Sequence, residues 1–122
     1  MLLSEGQPSA IRPQRAALQI RRTRDAGNAC VITLCGELDI QTAAELRADL
    51  TAMLAERPLV KTVEVDLAAV TFIDSLGLGT LVVGHRICAD LGVRLTVRDP
   101  SAFVTHLLRV SGFGDHLMPA DR

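Results

Sequence analysis

Two short runs constrain the fold of this chain more than any other feature. In residues 60–67, Val63, Val65 and Leu67 alternate with Thr62, Glu64 and Asp66; in residues 93–98, Val93, Leu95 and Val97 alternate with Arg94, Thr96 and Arg98. Such alternation is the pattern of a strand with one face buried and the other largely wet. Two strands of this kind predict a sheet covered by helices on one face, rather than a doubly wound sheet buried on both.

The remaining segments fit around such a sheet. Residues 17–23 and 29–36 flank Asp25-Ala26-Gly27-Asn28 and read as a hairpin, whose second strand is apolar almost throughout and belongs near the sheet centre. Thr42-Ala43-Ala44-Glu45 has the form of a capping box and opens a helix with Ala43, Leu46, Leu50, Met53 and Leu54 on one face, closed by Pro58. A later helix is expected over residues 101–110, with Phe103, Leu107 and Leu108 as its apolar stripe and Ser111-Gly112 as its end. A short last strand around residues 116–118 is a further expectation. The predicted class is α/β, with one mixed sheet of about four or five strands and helices mainly on one face.

A length of 122 residues suits one domain. Residues 1–17 carry Ser4, Gly6, Pro8, Ser9 and Pro13 without periodicity and read as a flexible tail, which leaves residues 18–122 as the domain. Because Phe72, Phe103 and Phe113 are the only aromatic residues, the core must be built from Leu, Val, Ile and Ala. A net charge of −1, with no Trp or Tyr for bases to stack on, argues against nucleic acid as a partner. The charge is uneven: residues 1–24 carry +4, leaving −5 on residues 25–122. That fits a solvated tail and edge strand, or an arm that touches an acidic partner.

Cys30, Cys35 and Cys88 lie in apolar runs and read as buried small hydrophobes in a reducing compartment. His85, His106 and His116 have no second ligand at metal-binding spacing, so no metal or cofactor is expected. No run is apolar for long enough to span a bilayer, and the N-terminus lacks a signal-peptide pattern, so the expected location is the cytoplasm.

The middle helix, from Ser75 to about Leu91, carries the most functional information. Leu78, Leu81, Val82, His85, Cys88 and Ala89 form its expected core face, while Leu76, Val83 and Ile87, with Thr80 beside them, fall on the far side. That outward stripe is either covered by another part of the chain or is a docking surface beginning at Ser75. Before it stands Phe72-Ile73-Asp74-Ser75-Leu76-Gly77-Leu78-Gly79, in which Asp74 and Ser75 are helix-start residues. Gly77 and Gly79 each cost roughly 0.5–1 kcal/mol relative to Ala in a helix, so something must pack close to the backbone there, whether a neighbouring strand or a partner. A helix N-terminus also favours a nearby anion, which suits a phosphate on Ser75.

Catalysis is not expected. The residue two before Ser75 is Ile73 where a nucleophile elbow needs Gly, and Val82 stands where a dinucleotide fingerprint after Gly77 and Gly79 needs Gly.

The run from Val70 to Val82, with Gly36-Glu37-Leu38-Asp39 before it and Ser111-Gly112-Phe113 after it, resembles the STAS domain of the bacterial anti-sigma factor antagonist family over residues 18–118. The resemblance implies a STAS fold and a partner switch. An anti-sigma factor that is also a serine kinase would phosphorylate Ser75; the unphosphorylated protein would capture that kinase and free a sigma factor, and a phosphatase would reverse the modification. Asp39 and Asp74 match acidic residues near the switch, and Leu76, Gly77, Gly79, Thr80, Val83 and Ile87 complete the expected partner surface. Leu76 departs from the second Ser that many members carry. A phosphorylation-independent scaffold or adaptor, in a signalling complex or beside a transporter, is the alternative; no membrane contact or small-molecule substrate is expected.

Overall fold

A computed structural model describes residues 17–118, so the expected N-terminal tail lies outside the described residues except for Ala17. The elements, in chain order, are β1 (Gln19–Arg24), β2 (Ala29–Leu38), α1 (Ala43–Ala55), β3 (Thr62–Ile73), α2 (Ser75–Asp90), β4 (Arg94–Arg98), α3 (Ala102–Ser111) and α4 (Gly114–Leu117). The strands lie side by side in sequence order, with β1 antiparallel to β2 and β2, β3 and β4 mutually parallel. Right-handed crossovers between strands that succeed one another in one direction place α1 and α2 on the same face of the sheet.

That face is the core. Cys30, Val63 and Leu95 form one cross-strand row and Ile32, Val65 and Val97 the next, all exposed by 2% or less. The intervening row, Val31, Glu64 and Thr96, is only half-buried, and beyond it Arg98 reaches Glu64 at 3.1 Å and Asp66 at 3.3 Å. The alternation seen in the sequence therefore corresponds to the two faces of this sheet. None of the three phenylalanines enters the core.

β3 runs on to Ile73, beyond the expected end at Leu67, because two irregularities change its period. Thr33 pairs with Asp66 but Cys35 with Ala69, and Gly36 pairs with Val70 but Glu37 with Phe72, so β3 gains one residue on β2 at each step. An extra residue in one strand of a pair is a bulge, and it resets which side chains face the core. The buried positions accordingly pass from Val63, Val65 and Leu67 to Val70 and Ile73. On the partner strand Gly36 has φ of +121°, and a Cβ there would lie 2.5 Å from the Ala17 carbonyl oxygen, so only glycine fits.

The edge strand is not uniformly solvated. Gln19, Arg21 and Thr23 are exposed, but Arg22 and Arg24 face the helical layer. Arg22 Nη1 donates to the Asp49 carbonyl at 3.1 Å and Nη2 to Glu56 Oε2 at 2.7 Å, while Arg24 donates to Asn28 Oδ1 at 2.9 Å and to the Pro58 carbonyl. These arginines fasten β1 to α1 and the loop after it.

Several expectations are corrected. Thr42 is the N-cap of α1, but its hydroxyl donates to the Glu37 carbonyl at 2.7 Å and accepts from the Asp39 N–H, so the capping box does not close. Residues 114–117 form the helical turn α4 instead of a last strand, which leaves four strands among the described residues. α3 buries Val104 and Leu108, while Phe103 is 48% exposed and stacks on Phe72 with ring centroids 6.3 Å apart. Cys30 and Cys88 are buried as expected, but Cys35 is exposed, because strand alternation turns it to the face opposite Leu34.

Candidate functional site

The carboxyl ends of β2 and β3 lie next to each other, with Leu38 paired to Ile73, and each strand leads into a turn that starts a helix. Asp39 follows the first strand. It is only 2% exposed, and its Oδ1 accepts from the Gln41 N–H at 2.9 Å and the Thr42 N–H at 3.2 Å. Asp39 therefore shapes the loop beneath the surface, and Ile40, next in the chain, is left 66% exposed.

Asp74 follows the second strand and ties the two turns together. Its N–H donates to the Leu38 carbonyl at 3.2 Å. Its Oδ1 caps α2 by accepting from the Gly77 N–H at 2.8 Å, and its Oδ2 accepts from the Ile40 N–H at 3.0 Å. Both oxygens are engaged, so the carboxylate is held in one orientation at the start of α2. Ser75, the first residue of that helix, is exposed beside it.

Gly77 explains why α2 can begin so near β2. A Cβ on Gly77 would stand 2.2 Å from the Leu38 carbonyl oxygen and 2.8 Å from its carbon, a backbone contact that cannot yield. Gly79 is different: nothing lies within 4 Å of a Cβ placed there. The same inward side carries Gly84, seven residues on from Gly77, where a Cβ would meet Leu50 Cδ1 of α1 at 3.0 Å. The buried face of α2 is accordingly Gly77, Leu78, Leu81, Gly84 and Cys88, whereas Val82 and His85 are half-buried and Ala89 is exposed. Close approach at two glycines rotates the core face away from the one predicted.

The outward stripe is open. Leu76, Val83 and Ile87 are 51%, 52% and 47% exposed, and Thr80 between them donates its hydroxyl to the Leu76 carbonyl at 3.0 Å. Between this stripe and α1 runs a groove of about 340 Å³, floored by Leu50, Leu54 and Gly84 and rimmed by Arg47, Thr51 and Gly79. Arg47 is the one charged residue in its lining among the described residues. The structure thus brings Asp39, Asp74, Ser75, Leu76 and Gly77 together at one end of the sheet, with Gly79, Thr80, Val83 and Ile87 leading away along α2. Sequence reading missed Ile40, Arg47 and Gly84; the seven-residue spacing of Gly77 and Gly84 on one helix face was the available signal.

His85 lies on another side of α2, with Nδ1 3.1 Å from the Leu95 carbonyl and its ring 6.2 Å from that of His116. No group of three or more His, Cys, Asp or Glu among the described residues is arranged to hold a metal, and no helix among them is long and apolar enough to cross a membrane.

A mixed four-stranded sheet with its helices carried over one face, and a capped helix start beside the end of the neighbouring parallel strand, define a STAS domain. The family model described as Mlab, STAS domain, matches residues 22–119, and the chain belongs to this family. Its similarity extends to solved structures. The anti-sigma factor antagonist SpoIIAA in its unphosphorylated form is 27% identical, over 82% of this chain and 86% of that one, with a TM-score of 0.69. An anti-sigma factor antagonist from Mycobacterium paratuberculosis shares the fold at 24% identity and a TM-score of 0.68, over 86% of this chain and 87% of its own. The fold recurs within the murine Solute Carrier 26 family member A9 anion transporter, at 14% identity and a TM-score of 0.68, over 86% of this chain and 20% of that one.

Proposed function

We propose that this protein is an anti-sigma factor antagonist whose docking is switched by phosphorylation of Ser75. The observation that carries the reading is the position of Ser75: exposed at the first turn of α2, beside a carboxylate held by two backbone amides, at the head of an open apolar stripe. Unphosphorylated, the surface of Ile40, Leu76, Val83 and Ile87 captures an anti-sigma factor that is also a serine kinase, and so frees a sigma factor. The similarity to SpoIIAA, of which structures in unphosphorylated and phosphorylated forms are known, supports this choice of partner. The protein then acts in the cytoplasm as one STAS domain spanning residues 18–122, and as a regulator rather than an enzyme.

The chemistry of the switch follows from the site. A phosphate on Ser75 adds about −1.5 to −2 charges and three acceptor oxygens. The first-turn amides and helix dipole favour it, so the domain stays folded. Asp74 stands next to it with both oxygens already bonded, so the added charge meets a fixed negative neighbour. Docking an apolar partner over Leu76 would then require that charge to be desolvated. A loss of roughly 1.4 kcal/mol weakens binding tenfold, so a modest penalty releases the kinase. A phosphatase resets the surface.

A second reading has its own support: Leu76 is 51% exposed where many antagonists carry a second hydroxyl residue, and the fold recurs inside a transporter. In that reading the stripe docks a partner without regard to phosphate, as a scaffold or adaptor. Affinity measurements on Ser75→Ala and Ser75→Glu against the anti-sigma kinase separate the two. The switch predicts tight binding by the first variant and at least tenfold weaker binding by the second, with both folded; equal affinities would refute it.

A further inference from the structure

We infer that the groove between α1 and α2 binds a small amphiphile: a free carboxylate on an unbranched alkyl chain of medium length. The lining is chemically one-sided. Leu50, Leu54, Leu76, Val83 and Ile87 form an apolar trough, and its volume of about 340 Å³ is that of a small-molecule site. Both hydroxyls at the rim are spent on their own helices, Thr51 donating to the Arg47 carbonyl at 2.9 Å and Thr80 to the Leu76 carbonyl at 3.0 Å. Arg47 keeps its donors: among the described residues its guanidinium has no ion pair or hydrogen-bond partner. A protein partner brings about one hydrogen bond for every 100–200 Å² of contact, which this lining cannot match. An alkyl chain with one anionic end asks for a single polar contact, and Arg47 supplies it as a charge-assisted pair.

The helices also set the direction in which such a ligand lies. α1 and α2 follow parallel strands, and Leu50 lies against Gly84, so Arg47 stands about one turn nearer the Ser75 end and Leu54 about one turn farther from it. The carboxylate therefore sits toward Thr80 and the chain runs toward Ile87. From Leu76 to Ile87 the wall measures roughly 16 Å, room for an extended chain of about ten carbons.

Gly79 supports the same occupant. It is helical without a positive φ, and nothing lies within 4 Å of a Cβ placed there, so neither backbone conformation nor packing calls for glycine. Glycine inside a helix nevertheless lowers stability. What the missing side chain leaves is room: Gly79 lines the groove, and a chain can lie there against the backbone of α2.

Binding of the amphiphile does not depend on the role of Ser75. Its consequence does, and rests on the function proposed above: the ligand lies along the stripe of Leu76, Val83 and Ile87 that captures the kinase, so the two compete.

NMR titration of the full chain with decanoate, decanol and decyltrimethylammonium, each below its micelle concentration, tests the site. The expected result is saturable shifts of the Thr51, Thr80 and Gly84 amides with decanoate, and binding of the other two weaker by roughly tenfold or more. From hexanoate to decanoate each added methylene should tighten binding about fourfold. Arg47→Gln should bring decanoate to the level of decanol, and Gly79→Leu, still folded, should bind neither. No saturable shift, shifts elsewhere, or equal affinity for the three head groups would overturn the inference. So would shifts produced by phosphatidylglycerol vesicles and not by decanoate, which would make the surface a membrane contact. If decanoate binds but Ser75→Ala and Ser75→Glu bind the anti-sigma kinase equally, the switch fails and the ligand site stands. If decanoate does not bind and the two variants differ, the ligand site fails and the switch stands.

Discussion

Asp74 Oδ2 accepts the backbone N–H of Ile40 at 3.0 Å, across a gap of 34 residues in the chain. One side chain thereby fixes the turn after β2 against the first turn of α2, whose Gly77 N–H it caps with its other oxygen at 2.8 Å. Ile40, Ser75 and Leu76 hold their relative positions through this carboxylate.

Removal of that side chain has a measurable cost. Asp74→Ala loses an N-cap and a second hydrogen bond, and a cap of this kind contributes about 0.5–2 kcal/mol. Urea unfolding should show a loss of about 1–3 kcal/mol. Asp74→Asn, which keeps one carbonyl acceptor, should lose less.

The two glycines of the first turns should respond with opposite signs. Gly77→Ala drives a methyl into the Leu38 carbonyl, where no flexible atom can move aside, and should cost more than 2 kcal/mol or prevent folding. Gly79→Ala meets open space and should gain about 0.5–1 kcal/mol from helix propensity. Thermal unfolding of the two variants gives the comparison directly.

The apolar stripe should matter for docking and not for folding. Val83→Asp and Ile87→Asp alter side chains that are 52% and 47% exposed, so stability should change by less than about 1 kcal/mol. Partner affinity, measured by calorimetry, should fall more than tenfold. Wild-type affinity in both variants would move the docking surface elsewhere.

The cysteines offer a test of burial. Cys35 should react with a thiol reagent in the native protein, while Cys30 and Cys88 react only after unfolding. Burial pushes the Cys88 thiol up to about 11. Because the folded value lies above that of the unfolded chain, the contribution is fully present at neutral pH and is lost as pH rises through about 9 to 11. Unfolding free energies measured across that window should decline, and Cys88→Ala, less stable at neutral pH, should decline less steeply.

The sequence alone determined the class of fold and the residues that open its second helix. Alternation in residues 60–67 and 93–98 follows from a sheet with one wet face, and periodicity of 2 or 3.6 survives in the chain whatever it packs against. Asp74 and Ser75 were legible as a helix start because capping is local, and the outward stripe of Leu76, Val83 and Ile87 was legible because helical spacing puts it opposite Leu78 and Leu81. Tertiary structure decided the rest. The bulges that carry β3 to Ile73 exist only in its pairing with β2, so a period of two could not reveal them. Thr42 gave up its capping box for the Glu37 carbonyl, a partner supplied by the turn geometry. Whether Gly77 and Gly79 served packing or access depended on what approaches each, and only the fold set Leu38 against the first and open space beside the second. Local rules name the residues at this site; the contacts between distant segments divide the work among them.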